Sequence, residues 1–283
     1  MNLFVFGLGY SASHFVRACG PEFTAVSGTV RTADKAAAMT QDIAGLHALT
    51  FEDRAVESRI SEADAIIVSI APSPADPALE RFEHAIASSR ANRIVYLSTI
   101  GVYGAKDGVW VDEYTDPARG SPRSQARLDA EASWFGLGAR TGKRVFVLRL
   151  AGIYGPGRNA VENLKEGSAR RIVRTGQVFN RIHVADIAGA ISACLATQIA
   201  SAVFNVCDDE PAPQSDVVTH AADLLGISPP PETPFDLANL SPMARGFWAN
   251  NQRVSNRKLK ALLDVKLRYP TYREGLAALA GGL

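Results

Sequence analysis

The sequence predicts an α/β fold in which a doubly wound parallel sheet carries a smaller C-terminal lobe. Three observations indicate this. Short apolar runs alternate with helical stretches over the first 150 residues, most of the runs are continuously apolar, and prolines interrupt the pattern after about residue 208. Continuous apolar runs are typical of parallel strands that are covered on both faces. Repeated strand–helix–strand units build right-handed crossovers and therefore a doubly wound sheet.

The predicted elements follow from these runs in chain order. The strands are Asn2–Phe6, Phe23–Val30, Leu46–Phe51, Asp64–Ile70, Arg93–Leu97 and Arg144–Leu150, with Val203–Cys207 as a candidate seventh. The helices are Ser11–Cys19, Ala33–Met39, Pro77–Arg90, Ser124–Arg140 and Val184–Thr197, followed by the shorter Ser215–Leu225, Asn256–Leu263 and Tyr272–Ala280. In the third of these helices, Leu79, Phe82 and Ile86 lie near helical spacing and predict a buried face. We predict a main domain at 1–150, to which 180–207 return, and a smaller lobe formed by 151–179 and 208–283.

Composition excludes several classes of protein. The chain has 283 residues, of which 47% are hydrophobic and 21% charged, as in ordinary globular proteins. Thirty basic and 29 acidic side chains leave a net charge of +1, which favours neither nucleic acid nor membrane as a partner. The N-terminus lacks a basic segment before its apolar run and therefore predicts a strand, not a signal peptide. The five histidines show no metal-binding spacing. The three cysteines predict no disulfide framework, and without a predicted signal peptide the expected location is cytoplasmic.

A glycine-rich turn follows the first predicted strand. Its residues are Gly7, Leu8, Gly9, Tyr10, Ser11 and Ala12, and a helix is predicted to begin there. This is the Rossmann dinucleotide-binding fingerprint with alanine in third place. Gly7 is expected to make the tight turn, Gly9 to let a pyrophosphate approach the backbone, and Ala12 to bring helix and strand together. We therefore predict a Rossmann fold and a dinucleotide cofactor.

The end of the second predicted strand indicates which dinucleotide binds. NAD enzymes usually place Asp or Glu there for the ribose 2′-hydroxyl, but this chain has Arg31. An arginine can stack on adenine and pair with a 2′-phosphate, and Lys35 is a candidate second cation. The residues thus favour NADP over NAD, with a solvated surface arginine as the alternative interpretation.

Four further segments resemble the NAD(P)-dependent epimerase/dehydratase family of extended short-chain dehydrogenases/reductases. In chain order they are Tyr96-Leu97-Ser98-Thr99-Ile100-Gly101-Val102-Tyr103-Gly104, Arg149-Leu150-Ala151-Gly152-Ile153-Tyr154-Gly155-Pro156-Gly157-Arg158, Arg181-Ile182-His183-Val184-Ala185-Asp186 and Phe204-Asn205-Val206. The resemblance implies that Thr99 hydrogen-bonds the reacting oxygen, with Ser98 beside it at the cofactor. It implies that Gly152 lines the nicotinamide and substrate, and that Ala71 and Pro72 touch the cofactor on its ribose side. A homodimer through the helices Pro77–Arg90 and Ser124–Arg140 is also implied.

One departure from the family pattern concerns its catalytic base, a Tyr paired with a Lys four residues on. None of the seven tyrosines has a Lys at that spacing, and alignment puts Arg123 on the tyrosine and Arg127 on the lysine. Arginine stays protonated and cannot remove a proton. The pattern is similar to that of atypical members of the family, which have an altered active site.

Two hypotheses follow from this departure. Arg123 and Arg127 form an anion clamp for a carboxylate or phosphate of the substrate, or are merely surface arginines. Alternatively, acid–base work passes to Tyr103, Tyr154 or His183, each of which also has an ordinary structural interpretation. Further along the chain, Trp248 either packs in the core, which is favoured, or lines the substrate cleft.

Together these observations predict an NADP-dependent oxidoreductase or epimerase-like enzyme. Its small-molecule substrate is expected between the Rossmann domain and a C-terminal substrate lobe. Sugar nucleotides are the habitual substrates of the family, and carbonyl compounds are a further class. A non-catalytic NADP-binding protein, acting as a redox sensor or partner module, is the alternative that the missing Tyr–Lys pair leaves open.

Overall fold

The structure, a computed structural model, describes residues 1–118 and 120–281. Its strands are β1 (Asn2–Phe6), β2 (Ala25–Val30), β3 (Leu46–Thr50), β4 (Ala65–Val68), β5 (Arg93–Thr99), β6 (Trp110–Val111), β7 (Arg144–Leu150), β8 (Gly152–Tyr154), β9 (Arg171–Val173), β10 (Arg181–His183), β11 (Ala202–Val206), β12 (Glu232–Pro234) and β13 (Arg253–Val254). Seven of them form one parallel sheet in the order β11-β7-β5-β4-β1-β2-β3. The predicted doubly wound α/β fold is confirmed, and the candidate seventh strand lies at one edge of the sheet.

Helices cover both faces of this sheet. They are α1 (Tyr10–Cys19), α2 (Ala33–Asp42), α3 (Val56–Ser61), α4 (Pro77–Ser88), α5 (Pro122–Thr141), α6 (Ala160–Lys165), α7 (Val184–Ala196), α8 (Gln214–Leu225), α9 (Pro242–Trp248), α10 (Arg257–Leu263) and α11 (Tyr272–Gly281). Along β1, Leu3 and Val5 join one hydrophobic cluster, whereas Phe4 and Phe6 join the cluster on the opposite face. Burial on both faces explains why the strands are continuously apolar.

Some element boundaries differ from the prediction. The strand β2 begins at Ala25 and not at Phe23, because residues Gly20–Glu22 form a 3₁₀ turn that ends there. The helix α5 begins at Pro122, two residues early, since the Ser121 hydroxyl caps it by accepting from the Ser124 N–H. The short helices α3, α6 and α9 were not predicted.

Three two-stranded sheets lie outside the main sheet. They pair β8 with β10, β9 with β12 and β6 with β13, all in parallel. Two small hydrophobic clusters, around Tyr154 and around Trp248, contain buried residues only from 151–179 and 208–283. Val254 and Leu259, by contrast, pack in the large core. We retain the predicted division into two parts as a proposal about which residues bind substrate.

Two negative findings apply to the described part of the chain. None of its helices is long and apolar enough to cross a membrane. It also contains no group of three or more His, Cys, Asp or Glu side chains that could hold a metal ion.

Candidate active site

The glycine turn between β1 and α1 is fixed by backbone geometry. Gly7 has φ +86°, and a Cβ at this position would lie 2.8 Å from Ile70 Cγ1. Its N–H donates to the Thr29 hydroxyl at 3.0 Å, and the Leu8 N–H donates to the Thr29 carbonyl at 2.8 Å. Only glycine fits both the backbone angle and the close approach. The turn is therefore held rigidly against the end of β2.

The N-terminus of α1 presents free donors next to this turn. Gly9 precedes the helix, and a Cβ there would meet no atom within 4 Å. In residues 1–118 and 120–281, no acceptor binds the backbone N–H groups of Tyr10, Ser11 and Ala12. Such donors, together with the helix dipole, form an anion-binding site. Leu8 points its side chain into the core, and the Tyr10 hydroxyl donates to the Pro156 carbonyl at 2.9 Å, so neither side chain faces this opening.

The predicted specificity residues lie along the same carboxyl edge of the sheet. Arg31 follows β2 directly and is exposed, with no ion pair or hydrogen bond to any described residue. Lys35 is exposed in the first turn of α2, where its backbone N–H donates to the Thr32 hydroxyl oxygen. After β4, Ala71 is exposed and Pro72 half-buried. These positions leave both cations available to a ligand.

Thr99 ends β5 and carries a hydroxyl with a free hydrogen. Its Oγ1 accepts the Gly101 N–H at 3.1 Å, and the hydroxyl hydrogen has no acceptor among the residues that the structure describes. Thr99 is half-buried and lines two adjoining cavities of about 520 and 140 Å³. Gly101, Phe247 and Asn250 line both cavities as well.

The larger cavity lies between the start of α5 and the short helix α9. Among its described lining residues, Arg123 alone is charged, and its exposed guanidinium has no partner in the described parts of the chain. The remaining lining residues are Thr99, Gly101, Gly104, Ala105, Gly120, Ser121, Ser124, Gly246, Phe247, Ala249 and Asn250. The cavity is thus small-residue lined and positively charged.

The smaller cavity contains a buried acceptor that has no partner. Gln252 is 3% exposed, and no described donor reaches its Oε1 atom. The other lining residues are Thr99, Ile100, Gly101, Leu150, Ala151, Gly152, Val178, Phe179, Asn180, Phe247 and Asn250. Gly152, which the resemblance placed at the nicotinamide and substrate, is exposed here. No sequence signal identifies Gln252, since it belongs to no recognised motif.

Two predicted residues turn away from the cavities. The Ser98 hydroxyl donates to Glu131 Oε1 at 2.5 Å in the interior, so its side chain does not contact a cofactor. Arg127 donates to the Leu97 carbonyl at 2.8 Å and to the Tyr96 hydroxyl at 3.3 Å. Because its guanidinium is bound to β5, the expected two-arginine clamp does not form, and Arg123 faces the cavity alone.

Tyr103, a candidate acid–base residue, belongs to a buried polar network instead. Arg149 and Glu131 form an ion pair at 2.8 Å, and Arg149 also donates to the Tyr103 hydroxyl at 3.0 Å. That hydroxyl in turn donates to Asn205 Oδ1 at 2.8 Å. Burial raises the pKa of Tyr103, which keeps its proton in place. Tyr103 therefore belongs to the buried network beneath the site and does not line either cavity.

Tyr154 and His183 are likewise structural in this arrangement. The Tyr154 ring packs against His183 with centroids 5.1 Å apart, and burial raises the pKa of its hydroxyl well above the usual range. His183 caps α7, its Nδ1 accepting the Ala185 N–H at 3.1 Å, and burial lowers its pKa to about 4. Neither residue lines the cavities at Thr99. Both connect the β8–β10 pair to the C-terminal lobe.

The two adjacent aromatic residues of α9 face different surroundings, one in the core and one at the cavities. Trp248 is buried, with its ring 4.9 Å from Phe179 and 5.1 Å from Phe235. Its neighbour Phe247 is 55% exposed and lines both cavities. Adjacent helical residues point about 100° apart, so burial of one ring directs the other outwards. The favoured interpretation of Trp248 as a core residue agrees with this packing.

Comparison with known proteins places these features in a family. The sequence model of the family described as "NAD dependent epimerase/dehydratase family" matches residues 80–207 of this chain. A solved structure of a functionally unknown conserved protein from Silicibacter pomeroyi is 40% identical, covers 99% of this chain and 98% of its own, and superposes with a TM-score of 0.89. The chain belongs to the NAD-dependent epimerase/dehydratase family.

Some of the proteins that are similar to this chain have named activities. UDP-glucuronic acid 4-epimerase from Bacillus cereus, solved in complex with NAD, is 17% identical with a TM-score of 0.79 over 99% of this chain and 96% of its own. This likeness shows the fold. A 3-diazoavenalumate denitrifying reductase from Streptomyces is 31% identical over 143 residues, which are 46% of this chain and 45% of that protein. The proteins similar to this chain thus include an epimerase and a reductase.

Proposed function

We propose that this chain is an NADP-dependent oxidoreductase that transfers hydride between the cofactor and a small molecule bound beside Thr99. The observation that carries the proposal is the Thr99 hydroxyl, whose oxygen is held by the Gly101 N–H while its hydrogen is free to bind a substrate oxygen. It lines two cavities at the carboxyl edge of the sheet, the edge at which the glycine turn ends. In open α/β sheets, ligands bind at this edge.

The residues at the turn fit a dinucleotide. The free N–H groups of Tyr10, Ser11 and Ala12 would hold its diphosphate, and the empty space around Gly9 admits that group to the backbone. Ala71 and Pro72 would border its ribose. When bound, the dinucleotide supplies or accepts the hydride. The Bacillus cereus neighbour holds NAD, whereas the exposed Arg31 favours the 2′-phosphate of NADP here.

The chain's own residues would stabilise charge on the substrate oxygen. Thr99 donates a hydrogen bond to that oxygen, and the positive charge of Arg123 lowers the free energy of negative charge in the same cavity. Because arginine cannot give up its proton and Tyr103 is buried, the proton that completes reduction of a carbonyl comes from water in the cavity. Reductions therefore suit this site better than reactions that need a strong internal base.

The alternative is a non-catalytic NADP-binding protein, and the absence of a Tyr–Lys pair at helical spacing favours it. Steady-state NADPH oxidation with a panel of aldehydes, ketones and sugar nucleotides distinguishes the two. Tight NADPH binding without turnover of any compound would support the sensor. A homodimer through α4 and α5 and a cytoplasmic location stay predictions.

Replacing Thr99 tests the proposed chemistry directly. Thr99→Val removes the hydroxyl and keeps the shape, so kcat/KM is expected to fall by about 100-fold, as for other donors to a developing oxyanion. Thr99→Ser keeps the hydroxyl and serves as the matched control, with activity within about fivefold of the parent. Equal activity of the Val and Ser variants would exclude Thr99 as the donor.

Replacing Arg31 tests the choice of dinucleotide. Arg31→Asp places a negative charge beside the 2′-phosphate, so the Kd for NADPH is expected to rise at least 10-fold while that for NADH changes little. Calorimetric titration with both nucleotides measures the ratio. Lys266→Asp makes the same kind of charge reversal at an exposed position outside the cavities and should leave both Kd values unchanged. An unaltered preference in Arg31→Asp would overturn the NADP assignment.

A further inference from the structure

The two cavities at Thr99 differ in the chemistry of their linings, so together they fit a ligand whose two ends differ. One end contains the only charge of the larger cavity's described lining, Arg123, and the other contains the unpartnered Gln252 oxygen. Phe247 lines both cavities. We infer that the substrate of the proposed reaction is an aromatic carboxylate, held by Arg123 through its acid group and by Phe247 through its ring, with its reacting oxygen between Thr99 and Gln252.

Arg123 decides the charge of the ligand. Its guanidinium is exposed within the cavity and has no ion-pair partner in residues 1–118 and 120–281, and no carboxylate is among the described lining residues. A guanidinium binds the two oxygens of a carboxylate through parallel hydrogen bonds. One such cation balances a monoanion, whereas the diphosphate of a sugar nucleotide carries two negative charges. The charge of the cavity therefore favours a carboxylate.

Phe247 decides the shape of the ligand. An aromatic side chain that is 55% exposed has contact area to gain from a bound molecule. Its neighbour Trp248 is anchored between Phe179 and Phe235, which fixes the end of α9 and leaves Phe247 facing the cavities. Aromatic rings pair favourably with one another in offset or edge-to-face arrangements. A flat ring in the ligand thus complements this surface better than a sugar.

Gln252 decides what stands at the reacting end. A buried acceptor without a donor is unfavourable, so a ligand that supplies a donor is bound more tightly. The Thr99 hydroxyl supplies a donor and Gln252 Oε1 supplies an acceptor, and both residues line the smaller cavity. When hydride adds to a carbonyl carbon, the oxygen gains the electron pair of the broken π bond and then a proton from water. The new hydroxyl accepts from Thr99 and donates to Gln252.

The inference rests on the proposed function, and binding measurements separate the two. The probes are 4-formylbenzoate, its methyl ester and 4-formylcyclohexanecarboxylate, titrated calorimetrically into the full-length protein saturated with NADP⁺. We expect the aromatic acid to bind best. The ester should bind about 10- to 100-fold more weakly because it lacks the charge that Arg123 binds. The cyclohexane acid should bind about 2- to 10-fold more weakly because it lacks the ring.

Variants identify which residue causes each preference. Arg123→Gln should abolish the preference for acid over ester, and Phe247→Leu should abolish the preference for the aromatic ring. Arg257→Gln and Trp110→Leu change an exposed arginine and an exposed aromatic residue away from the two cavities and serve as matched controls, with both preferences intact. An acid preference that survives Arg123→Gln, or a ring preference that survives Phe247→Leu, overturns the inference.

Other outcomes are also decisive. If none of the three probes gives measurable heat of binding at millimolar concentration, the inference is overturned. Tighter binding of uridine diphosphate than of 4-formylbenzoate, weakened by Arg123→Gln, overturns it in favour of a sugar nucleotide. Binding of the aromatic acid with both preferences present but no oxidation of NADPH supports the inference and contradicts the proposed reductase. Rapid reduction of neutral aldehydes with equal rates in Arg123→Gln supports the reductase and overturns the inference.

Discussion

The charged side chains around Thr99 fall into two groups, a buried pair that stabilises the fold and an exposed cation that is available to a ligand. Arg149 and Glu131 are only 6% and 5% exposed and pair at 2.8 Å beneath the site. Arg123, by contrast, is exposed in the cavity above. Buried charges are tolerated only when they are paired and hydrogen-bonded, whereas a solvated charge is free to bind a ligand. The pair under the site therefore holds β7 and α5 together, and the free cation faces the cavity.

Removing one partner of the buried pair is expected to destabilise the protein strongly. Arg149→Met leaves Glu131 buried without its cation and should lower the free energy of unfolding by about 3–5 kcal/mol. Replacing both residues, Glu131→Leu with Arg149→Met, should restore part of that loss because no charge is then left unpaired. Urea unfolding measures both. Arg140→Met, which breaks an exposed ion pair with Glu83 at 2.6 Å, should cost less than about 1 kcal/mol. A double variant less stable than Arg149→Met would contradict this account.

At the scale of elements, the turn from β1 into α1 uses its two glycines for different purposes. Gly7 needs a positive φ and a close approach to Ile70, which are requirements of the fold. Gly9 has φ −85° and open space where a Cβ would be, so the fold does not require glycine there. A residue that the fold does not need but that lies beside free N–H groups is expected to serve the ligand.

Substitution of each glycine tests this division of roles. Gly9→Val should leave the thermal unfolding temperature within about 2 °C of the parent and raise the Kd for NADPH at least 10-fold, because the side chain fills the space for the diphosphate. Gly7→Ala should lower the stability by about 1–3 kcal/mol whether or not nucleotide is present. Calorimetry and thermal melts measure the two quantities. Undiminished nucleotide binding by Gly9→Val would mean that the diphosphate does not lie at this turn.

Pattern length determines which elements the sequence could predict. Four strands of the main sheet, β1, β4, β5 and β7, stand out because each has four apolar residues in succession, a pattern typical of a buried strand. Pairs such as β6 with β13 have two residues each, too few for any periodicity to appear. Their pairing depends on contacts between segments more than 140 residues apart, such as the Arg253 N–H donating to the Val109 carbonyl. Local sequence carries no information about such contacts.

The candidate site divides in the same way. The glycine turn and Thr99 belong to motifs with fixed spacing, so the sequence was sufficient to place them at the carboxyl edge of the sheet. Phe247 belongs to the short helix α9 and Gln252 to the segment after it, which folding brings over that edge, and no motif marks them. One signal existed for Phe247: two adjacent aromatic residues on one helix cannot both face the core. The apolar run of β7 likewise concealed that Arg149 is buried against Glu131.

At the scale of the whole molecule, Asp208 lies between the large sheet and the β8–β10 pair, since its N–H donates to the Arg181 carbonyl. It follows β11, is 2% exposed, and its Oδ2 atom has no partner in the described parts of the chain. Burial raises its pKa from 3.8 to about 8, although the nearby Arg181 opposes this rise. The folded protein therefore retains a proton on Asp208 at pH values where the unfolded chain has released it.

This difference makes stability depend on pH in a defined direction. Between about pH 4 and pH 8 the folded state binds more protons at Asp208 than the unfolded state, so this residue lowers the free energy of unfolding as pH rises, by up to about 1.4 kcal/mol per pH unit. Above pH 8 the effect is constant. His183 acts oppositely at the acid end, because its pKa of about 4 lets the unfolded chain take up a proton first below pH 6.5.

Asp208→Asn isolates the contribution of this one carboxyl, because asparagine is neutral at every pH. The free energy of unfolding of the variant minus that of the parent is expected to rise steadily from pH 4 to pH 8 and then to level off. Urea titrations at half-unit intervals of pH measure it, and the subtraction removes the contribution of His183, which both proteins share. A difference that stays constant over this range would show that Asp208 is ionised in the folded protein. The half-buried Arg181 would then have to neutralise it between the large sheet and the β8–β10 pair.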